Sequence, residues 1–427
     1  MTLQVLLAAA DEPWETSVVR ALQRPGSGMT LVRRCMDVAD AVATAASGQA
    51  EAALLSAHLS GLDTDVLGRL LEAGTEPVVI TDPDDVSTAA RVTRMGSACV
   101  LSWRDVSDLP HLVQARVEAR RSLPPHGEST TEEPGSVAAE TFEDAPLGQL
   151  IAVWGPAGAP GRSTVAVGLA AACAERRLPT LLIDADVYGG AVSSMLAMLD
   201  EVSGILAAAR LANTGSLDRD ALTQQVRQLG PWLHVLTGLP RADRWPQLRP
   251  GALAQILHAA RQLASIVVVD CGFCLELDEE LSFDTAVPRR NGATTLTLER
   301  ADVVLAVGSA DPLGLTRLAR GVLDLRDVAP DAEVAVVVNR FRSSLGWSRQ
   351  DIAGILQRFI RTDPVAYLPE DQQAVDRSAV SGKTLPECAP GSPLAVALAA
   401  LAAEVTGIEV APRRRWLPRR ESASSSG

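Results

Sequence analysis

The sequence is poor in aromatic side chains, which make up 3% of its 427 residues, although 47% of the chain is hydrophobic. Whatever cores it builds must therefore be aliphatic and rich in alanine. No run approaches the roughly 18 consecutive apolar residues that a membrane span requires. The opening "MTLQVLLAAADEPWE" has neither the basic head nor the cleavage pattern of a secretory leader. These absences predict a cytoplasmic protein. Basic residues are outnumbered, and the formal charge of −13 argues against wholesale electrostatic binding to nucleic acid or anionic lipid. Lysine is almost missing, with Lys383 the only one in the chain. Paired cysteine motifs are missing too. Cys35, Cys99, Cys173 and Cys388 stand alone in apolar contexts, and only Cys271 and Cys274 have C-x-x-C spacing, so buried, reduced thiols are expected.

What is present is alternation. From residue 1 to 121, five apolar strand runs ("LQVLLAA", "MTLVRRC", "AEAALLSA", "EPVVITD", "ACVLSW") each precede a segment of helical period, the pattern of parallel β-α units covered on both faces. Residues 122–148 are acidic, rich in Pro, Ser, Thr and Gly, and carry no period. Such a segment buries too little apolar surface to offset its ordering entropy, so a disordered linker is expected, with a reach on the order of 30 Å that would let the flanking units reorient. From 149 to 407 the alternation resumes, with continuous β-branched strands typical of a parallel sheet buried on both sides. Residues 408–427 form a basic tail around Trp416 and Leu417, in which Pro412 and Pro418 prevent a continuous helix. The fold class expected is α/β in both units.

One stretch carries the chemistry. In "AVWGPAGAPGRSTVAVGLA" a strand enters a Gly/Pro turn, and Arg162, Ser163 and Thr164 stand at the mouth of a small-residue helix. Backbone N–H groups of such a turn, with Gly158 and Gly161, can surround phosphate oxygens, while a hydroxyl can hold magnesium. Taken alone, Gly, Ser and Thr at a helix start are equally explained as caps. Three strand-end acids stand beside it in the reading: Asp184 and Asp186 in "TLLIDADVYGG" and Asp270 in "SIVVVDCG". Carboxylates at the C-terminal edge of a buried parallel sheet lie where ligands bind in open α/β folds.

On these residues the second unit resembles the MinD/ParA group of deviant P-loop ATPases. The family pattern K-G-G-x-G-K-[ST]-[ST] falls without a gap on Ala157, Gly158, Ala159, Pro160, Gly161, Arg162, Ser163 and Thr164. The resemblance implies ATP or ADP with Mg2+ as cofactors. Asp186 would orient attacking water, Ser163 would coordinate the metal, and Asp270, with Asp184, would complete its surroundings, partly through water. It also implies that Asn339 and Arg340 face adenine, that Pro369 belongs to the loop closing the pocket, and that the protein is a homodimer. The first unit resembles a response-regulator receiver, but Ser56 stands at the phosphoacceptor position, Trp103 replaces the lysine, and only Asp11 and Glu12 remain of the acidic cluster. Thr81 alone fits. A pseudo-receiver that docks a protein partner is therefore expected. The pairing of the two units is similar to the CpaE proteins of Tad-type pilus systems and to septum-site-determining relatives, which implies a role in positioning a pilus, secretion or division apparatus.

The departures point one way. Ala157 replaces the signature lysine, a charge-assisted contact worth roughly 1.5 to 3 kcal/mol. Pro156 and Pro160 lack N–H donors. Arg162 has a planar fork in place of a compact ammonium. ATP hydrolysis is expected to be weak or absent, with a nucleotide-independent scaffold as the alternative and ParA-like DNA partition, disfavoured by the acidity, as the third reading. The long segment after Asp270 reads equally as a partner-binding switch or a surface loop. The basic tail could contact anionic lipid at the inner face of the membrane.

Overall fold

A computed structural model describes residues 2–9, 12–95, 99–105, 108–121, 146–158, 161–198, 202–276 and 289–407. Asp11, Ala159, Pro160, the tail, and most of both the linker and the segment after Asp270 lie outside the described residues.

The five expected strands of the first unit all form: β1 (Leu3–Ala8), β2 (Met29–Cys35), β3 (Ala52–Ser56), β4 (Glu76–Thr81) and β5 (Cys99–Ser102). They make one parallel sheet in the order β2-β1-β3-β4-β5, the flavodoxin-like arrangement. Alternation along each strand sends side chains to opposite faces. Val5 and Leu7 pack with Val18, Leu22 and Val113 on one side. Leu6 and Ala8 pack with Val42, Leu67 and Val92 on the other. Asp37, Asp63 and Asp85 start three of the helices by accepting the backbone N–H of Asp40, Val66 and Thr88.

The second sheet has eight strands: β6 (Gln149–Trp154), β7 (Thr180–Ala185), β8 (Arg227–Gly230), β9 (Leu233–Leu236), β10 (Ile266–Cys271), β11 (Val303–Ser309), β12 (Glu333–Phe341) and β13 (Pro364–Pro369). Their order is β13-β12-β11-β6-β10-β7-β9-β8, and only the edge strand β8 runs antiparallel. From β6 the chain crosses over β10 to reach β7. From β10 it crosses back over β6 to β11. The reversal places a crevice at the C-terminal end of β6, where open α/β sheets bind ligands.

The helix Arg162–Glu175 leaves that end of β6, and its residues Val165 to Cys173 are all buried. Small side chains are what allow this. A Cβ on Gly168 would come within 2.5 Å of the Leu398 side chain, so the helix Pro393–Thr406 packs closely over this glycine. The two units also touch. Arg94 Nε donates to the Gly215 carbonyl at 2.9 Å, Arg249 pairs with Asp65, and a Cβ on Gly215 would strike the Arg91 carbonyl. The expected linker between the units, with the freedom to reorient that it implies, lies mostly outside the described residues. Among the described residues, no helix is long and apolar enough to cross a membrane.

Candidate functional site

The turn after β6 is shaped by its glycines. Gly158 has φ +74° and Gly161 φ +93°, a left-handed conformation that side chains with a Cβ rarely adopt. Gly161 is also the residue that precedes the helix, and no side chain caps it. The helices beginning after Ser203, Asp311 and Ser392, by contrast, each have a side chain accepting a first-turn N–H. Among the described residues no side chain is seen accepting the first-turn N–H groups of the Arg162–Glu175 helix, which could meet an anionic acceptor. The helix starts at Arg162 itself, with Ser163 and Thr164 in its first turn.

Arg162 turns inward. Its Nη1 donates to the Gly155 carbonyl at 2.8 Å, its Nη2 lies 3.8 Å from Asp186 Oδ2, and its guanidinium carbon sits 5.7 Å from the centre of the Phe273 ring. The charge is spent at the root of the loop, against an acid.

The three acids separate by what satisfies them. Register places Asp270 beside Asp184 on β7 and Val153 on β6. Asp184 accepts the backbone N–H of Asp186 and of Val192, both at 3.2 Å, and so holds the turn that follows β7. The backbones of Gly190 and Gly238 crowd it, where a Cβ would lie 2.8 and 2.6 Å from its carboxylate. Burial pushes the Asp184 carboxyl up to about 7, against those two hydrogen bonds, which lower it. Asp186 accepts the Tyr188 N–H at 2.9 Å and faces Arg162. Asp270 is fully buried, and among the described residues neither of its oxygens has a hydrogen-bond partner of ordinary geometry, although the Ser163 hydroxyl stands close enough to favour its charged form. Desolvation raises its pKa well above the ordinary carboxylate value, the Asp184 charge adds to this, and the adjacent Ser163 hydroxyl works against it.

A buried carboxylate without a hydrogen bond of ordinary geometry, beside a hydroxyl, fits a cation. Among the described residues no three His, Cys, Asp or Glu side chains gather into a metal cage. Residues of this kind would suit a cation that keeps several waters and takes its other ligands from phosphates, as magnesium does.

The adenine-side expectations fall on the same sheet edge. Asn339 ends the β12 core, is buried, and a Cβ on Gly161 would collide with its amide nitrogen. Arg340 is exposed with φ +55°. Pro369 closes β13 opposite Phe341, and Glu370 beyond it pairs with Arg342 at 3.3 Å. Cys271 is buried, with its thiol pushed well above the usual range by desolvation, while Cys274 Sγ accepts from Asn291 Nδ2 at 3.2 Å. The two are free thiols, each in its own surroundings.

Sequence reasoning missed several neighbours. Tyr188 donates to Asn291 Oδ1 at 2.6 Å, lies 4.7 Å from Phe273 and carries Arg290 over its ring at 4.0 Å. In a chain so poor in aromatics, a tyrosine two residues after Asp186 was a usable signal. Arg317, which reaches the turn from a distant helix, left none.

The matching edge of the first sheet is closed. Ser56, buried at the end of β3, donates to Glu12 and accepts the His58 N–H at 3.1 Å. Thr81 donates to the Leu101 carbonyl at 3.4 Å. Trp103 is occupied by Arg104, whose guanidinium carbon sits 5.8 Å from the ring centre.

No family model matches the chain, and no curated protein does. Solved structures do. A ParA family ATPase from Chlorobium tepidum TLS superposes with a TM-score of 0.51 at 18% identity, over 60% of this chain and 98% of its own. The septum site-determining protein MinD from Pyrococcus horikoshii OT3, complexed with Mg-ADP, gives 0.48 at 19% identity over 61% and 96%. Apo McdA from Cyanthece gives 0.47 at 15% over 61% and 100%. The first of these matches shows that the second unit has the fold of a ParA family ATPase.

Proposed function

We propose that the chain is a nucleotide-binding positioning protein of the MinD/ParA type, built of a receiver-like domain (1–121), a linker (122–148) and a P-loop domain (149–407). The observation that carries this reading is the buried Asp270 carboxylate beside Ser163, without a hydrogen bond of ordinary geometry among the described residues, near a helix mouth whose N-cap is a glycine with no side chain to cap it. In this reading Ser163 holds Mg2+ directly and Asp270 holds it through water. The helix mouth takes the phosphates of ATP or ADP, and Asn339, Arg340 and Pro369 border the base. Magnesium would supply charge neutralisation at the phosphates. Asp186, tied to Arg162 and the Tyr188 amide, would hold an attacking water, and hydrolysis is slow or absent because Ala157 provides no lysine.

The nucleotide state would tune homodimerisation through the P-loop domain, while the receiver-like domain docks a protein partner. That combination suits the localisation of a pilus, secretion or septum apparatus from the cytoplasm, with the basic tail touching the inner face of the membrane. Titration of the full chain with a labelled ATP analogue, with and without magnesium, tests it. Magnesium-strengthened binding is expected, and the gain from magnesium should be lost in Ser163→Ala. A chain that binds neither ATP nor ADP at millimolar concentration is not a nucleotide switch. The scaffold reading, favoured by Arg162 turning inward onto Gly155, would then hold.

A further inference from the structure

Ala157 leaves the tip of the loop without its expected cation, and Arg162 spends its own charge inside. A different arginine approaches the loop. A Cβ on Gly158 would collide with Nη1 of Arg317 and lie 3.4 Å from its Cζ, so the guanidinium rests directly against the turning residue. Arg317 is carried by the helix Pro312–Val328.

Three features fix that helix. At its start, Asp311 accepts the Gly314 N–H at 2.9 Å and the Ser309 hydroxyl, which ties it to the end of β11, the strand beside β6. Underneath, Leu315 and Leu318 are buried in the core. One turn beyond Arg317, a Cβ on Gly321 would come within 3.0 Å of Pro156 and of Trp154, so the helix lies on the root of the loop. Positions 317 and 321 share a helix face, and the face that packs on Pro156 therefore also delivers Arg317 to Gly158. Arg317 is exposed, and among the described residues no carboxylate or carbonyl is bonded to it.

We propose that Arg317 is a phosphate-binding residue acting from within its own chain. It reaches over the Gly158 turn to the outer phosphates of a bound nucleoside triphosphate and supplies the positive charge that position 157 lacks. A planar guanidinium suits this place, since it can meet two phosphate oxygens at once from the side of the loop. This inference rests on the nucleotide reading of the site.

The test uses the full chain and fluorescent analogues of ATP and AMP with magnesium. Arg317→Ala is expected to weaken ATP-analogue binding at least about tenfold, with a smaller change for the AMP analogue, which has no outer phosphates. Its thermal unfolding should match the parent chain, because the side chain is exposed and, among the described residues, makes no hydrogen bond or ion pair. Ala157→Lys added to Arg317→Ala should recover most of the lost affinity. If Arg317→Ala binds the ATP analogue as tightly as the parent, or more tightly, while Ser163→Ala still weakens it, Arg317 is a bystander or a plug and the nucleotide reading stands without it. If neither the parent chain nor Ala157→Lys binds any nucleotide, the nucleotide reading fails and the role of Arg317 falls with it.

Discussion

Both units of the chain end a parallel sheet in polar side chains, and the two edges have reached opposite states. In the first, the Ser56 hydroxyl is satisfied by Glu12 and the His58 amide, and Thr81 by a carbonyl. In the second, Asp270 is buried with neither oxygen in a hydrogen bond of ordinary geometry among the described residues, next to two further acids. A polar site whose groups satisfy one another asks nothing of a ligand. A buried carboxylate left in that state is a standing cost that a cation with its anion can relieve. On the proposed reading the first edge persists as architecture and the second as a binding site, although each has lost key residues of the family it resembles.

The largest effect that would break this contrast comes from Asp270. Replacing it with Asn removes a buried carboxyl whose raised pKa costs stability above the ordinary carboxylate range, so ligand-free thermal stability at pH 8 should rise while the magnesium dependence of nucleotide binding disappears. Calorimetry and titration on one preparation check both. A lower melting temperature together with intact magnesium dependence would place the metal elsewhere. Next in size, Ser163→Ala should weaken nucleotide binding about tenfold with magnesium and leave it unchanged in EDTA, as expected for a direct metal ligand.

A pH series sharpens the comparison further. The Asp184 carboxyl titrates in the folded chain at about 7, above its ordinary value near 4. Its contribution to stability is therefore fully present below pH about 4 and is lost as the pH rises through about 7. Melting of the P-loop unit should fall across that window, and the fall should be smaller in Asp184→Asn. The smallest effect belongs to the first unit. Ser56→Ala strands Glu12 and should cost roughly 1 kcal/mol by denaturant unfolding, with no change in nucleotide affinity.

Much of the scaffold was legible because local pattern and tertiary environment agree. All five strands of the first sheet and the β-branched runs of the second could be read from their period, and the Gly/Pro turn with its hydroxyl pair marked the crevice. Strand β8 could not be read. Arg227–Gly230 has no alternation, and it is a strand only because β9 offers it an antiparallel edge. The acids were visible as strand ends, but their division of labour was not. Asp184 and Asp270 both close β-branched runs, and only the fold decides that Asp184 meets two amides and Asp270 none. The contacts of Arg94 with Gly215 and of Arg249 with Asp65 could not be read either, because they join residues distant in sequence.

By itself the sequence determined the two α/β units, the glycine turn and the acids at the strand ends, because these depend on residue period and on conformations that only glycine adopts readily. Which charges meet the loop was decided by tertiary structure alone. Arg162 folds away from the ligand side and Arg317 arrives from a remote helix, since the direction of a long side chain follows from the packing of its helix and not from its neighbours in the chain.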